Sequence, residues 1–291
     1  MGIEAVISVI LNGVFTGGVY GLVSSAFTFQ AGALRVINFS YGSATMLAMY
    51  LTFFTVTMCH LPMLFAIPLI IAAFFLLGIL VRITALSTPH HGAQILCTMG
   101  VELITINLVL FLFTGFPRDM AILEKRLFIT DTISVGWIQI ICFVMAALIL
   151  AGFQLFLNKT WAGMAIRAVV EREEVAGLMG LNSKRIMHFA FAVSYVIIAL
   201  AGVMLMTLFQ AEPNFGNYIM LIAFLVCIVA GLGNMVGSFF SGIIVGVISS
   251  LITLILGAKF HDLVLFALFI LILLVRPNGL FASLKKPAAQ I

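Results

Sequence analysis

The sequence predicts an all-α protein, a polytopic transmembrane helical bundle of eight to ten membrane segments, nine by direct count, with one pair able to form a broken or re-entrant segment. Three observations carry this. Only 8% of the 291 residues are charged, where a soluble domain carries about a quarter. The mean hydropathy is +1.28. The apolar residues also come in unbroken runs, most of them near the roughly 20 residues that a helix needs to cross a bilayer.

The runs lie near 5–30, 38–58, 61–81, 93–115, 134–157, 187–210, 218–232, 236–257 and 260–275. Their continuity excludes a transmembrane barrel, whose strands alternate apolar and polar residues over about ten positions. Helices are the alternative because each satisfies its own backbone groups where no water is available. The first run is a span rather than a removable leader: MGIEAVISVI has no Lys or Arg ahead of it and no small-residue cleavage site. Between 218–232 and 236–257, Ala230-Gly231-Leu232-Gly233-Asn234 leaves room only for a very short turn. That pair is either two spans or a re-entrant hairpin. Cys59, Cys97, Cys142 and Cys227 are widely separated, with no pair at metal or redox spacing, and read as small hydrophobes.

The basic residues orient the bundle. With 158–186 in the cytoplasm, Arg35, Arg82, Lys159, Arg167, Arg172, Lys184, Arg185, Arg276, Lys285 and Lys286 fall inside, and Arg118, Lys125, Arg126 and Lys259 fall outside. Ten against four is a positive-inside bias. The N-terminus is then external and the C-terminus cytoplasmic. These bases are scattered among spans, without the stripe that nucleic acid requires.

The segment 158–185, NKTWAGMAIRAVVEREEVAGLMGLNSKR, holds eight of the 24 charges. Good helix formers punctuated by Gly163 and Gly180 predict one or two short surface helices, and Asn182 or Ser183 is placed to cap the next helix. Ile166, Val169, Val170, Leu178 and Met179 offer an apolar side, and Arg167, Glu171 and Arg172 a polar one. The segment either rests on the lipid headgroups or docks into a partner. Glu174, Ala176 and Gly180 have the form E-x-A-x-x-x-G. This is similar to the loop by which permeases of ABC importers seat in their ATPases, and Arg167, Glu171, Glu174, Ala176 and Gly180 are the candidate coupling residues.

Two glycine-rich stretches stand out. Gly13, Gly17 and Gly21 recur every four residues, continued by Ser25. Gly242 and Gly246 do the same, between Ser238 and Ser250, after Gly231, Gly233 and Gly237. Such faces admit close helix approach and are candidate packing seams and breaks. Beside the first runs a polar stripe, Asn12, Thr16, Tyr20, Ser24 and Thr28, costly to expose to lipid and therefore turned toward a partner helix or a wet cavity. Asn38, Ser40, Tyr41 and Gly42 open the second span. They either cap it at the interface or present a half-helix N-terminus to an anionic group of the substrate. Glu102, with Thr98 and Thr105 on its face, is the one acid well inside a span. It serves transport, or is protonated against a neighbouring helix, or sits near the interface. Asn12, Thr16, Tyr20, Asn38, Ser40, Tyr41, Gly42 and Glu102 are the candidate substrate path. His60, His90, His91 and His261 form no grouping suited to a metal.

Several pieces, taken in order, carry a broader likeness: NGVFTGGVYGL (12–22), LRVINFSYGS (34–43), TWAGMAIRAVVEREEVAGLMGLN (160–182), EPNFG (212–216), AGLGNMVGSFFSGIIVG (230–246) and RPNGLF (276–281). From about residue 10 to 281 the chain resembles the LivH-type permeases of branched-chain (hydrophobic) amino acid ABC importers. Tyr41 stands where that family usually has His, and Ala230 where it has a second Gly. The resemblance implies a single transmembrane permease domain over 1–291 with an ATPase-docking loop at 158–185. It also implies alternating access, residence in a bacterial inner membrane, a homologous second permease, two cytoplasmic ATPases that bind ATP and Mg, and a periplasmic solute-binding protein. The chain itself is expected to carry no cofactor. It contains no G-x-x-x-x-G-K-[ST] and hence no P-loop, and no constellation suggesting a membrane enzyme. Alternatives are a permease for urea or a small amide, and a self-sufficient carrier or channel, although a carrier would usually place several charges within its spans.

Overall fold

The computed structural model describes residues 3–88, 90–120, 126–130, 133–275 and 279–281. Eleven helices are present among these residues: α1 (Ile3–Thr28, running on through a π turn, Phe29–Ala33), α2 (Tyr41–Phe53, followed by a π turn, Phe54–Met58), α3 (Met63–Thr84), α4 (His91–Phe113), α5 (Trp137–Lys159), α6 (Trp161–Glu171), α7 (Glu173–Leu178), α8 (Ser183–Leu208), α9 (Phe215–Ala230), α10 (Met235–Leu256) and α11 (His261–Val275). The class is the predicted one, a helical membrane bundle. An antiparallel ribbon, β1 (Arg126–Thr130) with β2 (Ile133–Gly136), lies in the segment ahead of α5, where no strand was expected.

The nine predicted runs do not all form helices of full spanning length. Six helices among the described residues are long and apolar enough to cross a bilayer: Val6–Ala33, Met63–Thr84, Gly92–Phe113, Trp137–Lys159, Ser183–Leu208 and Met235–Leu256. Of the other three apolar runs, α2 has 13 residues, or 18 with the π turn that continues it, and α9 and α11 are shorter helices of 16 and 15. At 1.5 Å per residue, α9 spans about 24 Å, short of the roughly 30 Å hydrocarbon layer.

Two compact units are formed. The first comprises the described residues of Met1–Thr28, Ala121–Ala147 and Leu221–Ile291. Its centre is the seam between α1 and α10, where a β-carbon at Gly13 would lie 2.8 Å from Val247 Cα, one at Gly17 2.8 Å from the Gly242 carbonyl oxygen, and one at Gly21 2.7 Å from the Phe239 carbonyl oxygen. Partners fall along α10 as positions rise along α1, so the helices are antiparallel. Gly242 and Gly246 meet Gly21 and Gly17 in return. At the end of the seam the Ser25 hydroxyl donates to the Met235 carbonyl (2.9 Å), and the Thr28 and Ser238 hydroxyls pair at 2.6 Å.

The turn between α9 and α10 is built by two glycines in the left-handed region, Gly231 (φ 88°) and Gly233 (φ 85°). Asn234 then caps α10, its side-chain oxygen accepting from the Gly237 amide at 2.9 Å. The C-terminal turn closes over this corner, with the Leu280 amide donating to the Val229 carbonyl (2.7 Å) and Asn234 Nδ2 to the Phe281 carbonyl (3.0 Å).

The second unit comprises the described residues of Phe29–Met120 and Leu148–Met220. Of the six long helices, α8 is the most enclosed. Small residues let its neighbours approach: a β-carbon at Gly78 of α3 would lie 2.9 Å from Ala192 Cα, and one at Gly202 of α8 2.9 Å from the Thr45 carbonyl oxygen of α2. At the other extreme is α4, with Leu96, Leu103, Ile104 and Phe111 among its exposed side chains.

Candidate functional site

The path residues predicted on α1 belong to the first unit. Asn12 and Thr16 turn back onto their own helix, Asn12 Nδ2 donating to the Ser8 carbonyl (2.8 Å) and Thr16 Oγ1 to the Asn12 carbonyl (2.9 Å). Tyr20 is buried. Further along the stripe, Ser24 is fully buried and its hydroxyl has no partner among the described residues.

Those predicted at the start of α2 belong to the second unit, in a closed polar cluster. After the π turn the chain passes through Arg35, which adopts φ 54°, and reaches Asn38. Asn38 is fully buried and uses both ends of its amide. Its Nδ2 donates to Gln30 Oε1 (3.3 Å) and to the Tyr195 hydroxyl (3.1 Å), while its Oδ1 accepts from the Ser40 amide (3.1 Å) and the Ser40 hydroxyl (2.7 Å). The Oδ1 to Ser40 amide bond is an Asx turn, the local geometry Asn favours in place of helix. Gln30 Nε2 donates on to Ser194 Oγ at 2.7 Å, and Thr98 of α4 accepts from the Phe39 amide at 3.3 Å. Gln30, Asn38, Ser40, Ser194, Tyr195 and Thr98 are all at least 99% buried.

Ser40 holds the N-cap position of α2 without making a side-chain cap bond, because its hydroxyl turns to Asn38. Tyr41 is fully buried. Gly42 packs against Gly216, whose own β-carbon would come within 3.0 Å of the Gly42 backbone. Two short motifs distant in sequence, NFSYG (38–42) and EPNFG (212–216), therefore touch at their glycines.

Glu102 is half-buried on α4 and, among the described residues, its carboxylate makes no hydrogen bond or ion pair; it is not part of the Asn38 cluster. Gln30, Ser194 and Tyr195 were not singled out in the sequence. The signal was present, since each is a polar side chain within an otherwise apolar run.

The candidate coupling residues lie on α6, α7 and the turn that follows. Thr160 caps α6 by accepting from the Gly163 amide at 3.1 Å. Gly163 itself sits so close to the end of α5 that a β-carbon would lie 2.5 Å from Leu157 Cα. The inner face of α6 is Ala165, Ile166 and Val169. Arg167 is exposed and donates to Asn158 Oδ1 at 3.1 Å, and Glu171 and Glu174 are exposed.

Within E-x-A-x-x-x-G each position has a physical reason. Glu174 is in the first turn of α7, where the helix dipole favours an acid. Ala176 is 4% exposed and faces the body. Gly180 takes φ 82° and ends the helix, with its amide donating to the Gly177 carbonyl and the Leu181 amide to the Ala176 carbonyl, both at 3.1 Å. That pair of bonds is a Schellman ending, which calls for glycine. Asn182 then caps α8, accepting from the Arg185 amide at 3.1 Å. The predicted apolar side divides: Ile166 and Val169 are buried, whereas Leu178 is 88% and Met179 80% exposed.

Comparison with known proteins joins these pieces. The family model for the permease component of branched-chain amino acid transport systems matches residues 9–273. The high-affinity branched-chain amino acid transport system permease protein BraD of Pseudomonas aeruginosa is 26% identical, with 93% of this chain and 94% of the relative covered. LivH, the corresponding protein of Escherichia coli K12, is 26% identical over 92% of this chain and 93% of its own length. The probable branched-chain amino acid transport permease protein LivH of Methanocaldococcus jannaschii is 24% identical over 78% of this chain and 74% of its own. No solved structure matches. The model match takes in the α1–α10 seam, the Asn38 cluster and the α6–α7 loop alike, and by it the chain belongs to the family of permease components of branched-chain amino acid transport systems.

Proposed function

We propose that the chain is the membrane-spanning subunit of an ABC importer that moves branched-chain or other hydrophobic amino acids across a bacterial inner membrane by alternating access. Its N-terminus is external and its C-terminus cytoplasmic. It works with a homologous second permease, two cytoplasmic ATPases that bind ATP and Mg, and a periplasmic solute-binding protein. The substrate path runs by the start of α2.

The observation that carries this reading is the build of the 158–185 loop. Its inner side is anchored by Gly163, Ile166, Val169 and Ala176, while Leu178 and Met179 stand out from it at 88% and 80% exposure. A rigid helix pair that displays apolar side chains beside Glu174 suits the groove of a partner, and its attachment to α5 and α8 can carry rigid-body motion into the spans. The test is ATP-driven leucine uptake by the assembled transporter carrying Glu174→Lys. Uptake falls to background while membrane insertion and yield persist. Parental uptake by that variant refutes the reading, as does leucine transport by the purified chain with no ATPase present.

A further inference from the structure

A recess of about 270 Å³ lies within the second unit, where the 33–36 stretch, α3, α4, α6, the start of α7 and α8 converge. That is close to the lower end of the roughly 300–1,000 Å³ typical of small-molecule sites. Its lining combines two guanidinium side chains, Arg35 and Arg82, with two carboxylates, Glu171 and Glu173, and an apolar wall that includes Val36 and Val169. Among the described residues Arg35, Glu171 and Glu173 make no ion pair or side-chain hydrogen bond, and Arg82 makes one hydrogen bond, from Nη1 to the Leu86 carbonyl at 3.2 Å.

Two positive and two negative groups around one small cavity suit a ligand that carries both signs. A phosphate or nucleotide would meet two like charges there, and a simple cation would meet two of its own sign. The apolar wall calls for a short aliphatic group as well. We propose that this recess binds a free zwitterionic α-amino acid with an aliphatic side chain. Its carboxylate is directed to the Arg35 and Arg82 guanidiniums, its ammonium to Glu171 and Glu173, and its side chain to Val36 and Val169.

A ligand so held ties α6 and α7 to α3 and the 33–36 stretch. Because it binds only where these line one cavity, it favours that arrangement over any other. This rests on the importer reading above, which supplies cargo and orientation. On that reading the site lies on the cytoplasmic face, and delivered cargo slows its own import.

The test uses the complete transporter in proteoliposomes loaded with ATP, with or without excess luminal leucine, and reads the initial rate of labelled leucine uptake. Binding of labelled leucine to the purified transporter, with no solute-binding protein present, is measured alongside. Luminal leucine slows the parent. Arg35→Asn, which keeps a side chain tolerant of positive φ, and Glu173→Gln each weaken inhibition and binding about fivefold, the scale of one partly exposed charge contact. Uptake by Arg35→Asn from leucine-free liposomes stays parental. 4-Methylpentanoate and 3-methylbutylamine, each with one charge of the pair, inhibit at least about fivefold less well than leucine.

Unchanged binding and inhibition in both variants overturns the proposal. So does 4-methylpentanoate matching leucine, or displacement of leucine by glycerophosphoethanolamine, which would assign the recess to a lipid headgroup. A parent with no ATP-driven uptake refutes the importer reading instead, and the binding measurement still decides the site.

Discussion

Replacing Asn38 by Ala tests the weight of the polar cluster. The side chain is fully buried and makes four hydrogen bonds, to Gln30, Tyr195, and both the amide and the hydroxyl of Ser40. After its removal the Tyr195 and Ser40 hydroxyls keep their mutual contact at 3.4 Å, but Gln30 Oε1 and the Ser40 amide lose the partners they have in the parent. Two orphaned buried groups cost about 1–3 kcal/mol each. Hydrogen bonds between membrane helices average only about 0.6 kcal/mol, because an unfolded chain in the bilayer also finds partners. The lower part of the range applies, about 2–4 kcal/mol, which lowers the unfolding midpoint in detergent by roughly 4–12 °C. Tyr195→Phe removes the bond accepted from Asn38 and the 3.4 Å contact with the Ser40 hydroxyl, and costs about 1 kcal/mol. The double variant costs less than the sum of the two, since both singles break the same Asn38–Tyr195 bond. The assay is thermal unfolding of the purified chain, with ATP-driven uptake of the assembled transporter measured in parallel. A midpoint for Asn38→Ala within about 1 °C of the parent, or strict additivity with Tyr195→Phe, refutes the cluster as a structural tie. A large loss of uptake with no loss of stability would place Asn38 on the substrate path alone.

The glycine seam gives a sharper contrast. Gly246→Ala drives a β-carbon against the Gly13 carbonyl oxygen and the Gly17 backbone and should cost more than about 2 kcal/mol, whereas Gly152→Ala meets nothing within 4 Å and should gain roughly 0.5–1 kcal/mol from helix propensity; half-life at a fixed temperature in detergent reads both. At Gly180, φ 82° makes Gly180→Val cost about 1–2 kcal/mol, and uptake should fall while Gly180→Asn stays close to parental; equal uptake in the two variants would contradict the Schellman ending as the reason for glycine. Leu178→Cys, at an 88% exposed position, should react with a membrane-impermeant maleimide only from the cytoplasmic face, and exposed Cys59 only from the outside; the opposite pattern inverts the topology.

Much of the fold is legible because the apolar runs are unbroken, so each of the nine predicted runs lies on a helix even though only six reach full length. The helix-ending signals were also readable: Asn182 caps α8 and Gly180 ends α7. Both depend on spacings of a few residues. The Asn38 cluster was half legible. Asn38 and Ser40 stood out as polar residues opening a span, but their partner Tyr195, and Ser194, the partner of Gln30, lie more than 150 positions away, and no local period connects them. The β1–β2 ribbon was missed because β1 lies between apolar runs, and most of β2 falls inside the run 134–157, which was read as one membrane segment. Glu102 was conspicuous in the sequence, yet the structure gives it no hydrogen-bond or ion-pair partner among the described residues.

The two kinds of contact that hold these helices follow from one property of the solvent. Lipid chains are as apolar as Leu or Phe, so burying such side chains between helices gains little over leaving them in the bilayer, and association depends on close backbone packing and hydrogen bonds. The first unit uses packing, with Gly13, Gly17 and Gly21 facing Gly242 and Gly246. The second adds a hydrogen-bonded net, with Asn38 holding Gln30 and Tyr195. Hydrophobicity therefore locates the helices but does not choose their neighbours; that choice rests on the minority of glycines and isolated polar residues. By the same argument, exchanging exposed Leu103 or Phe111 of α4 for another large apolar residue should leave the unfolding midpoint of the isolated chain unchanged. A change of several degrees would mean that this face is already packed against protein.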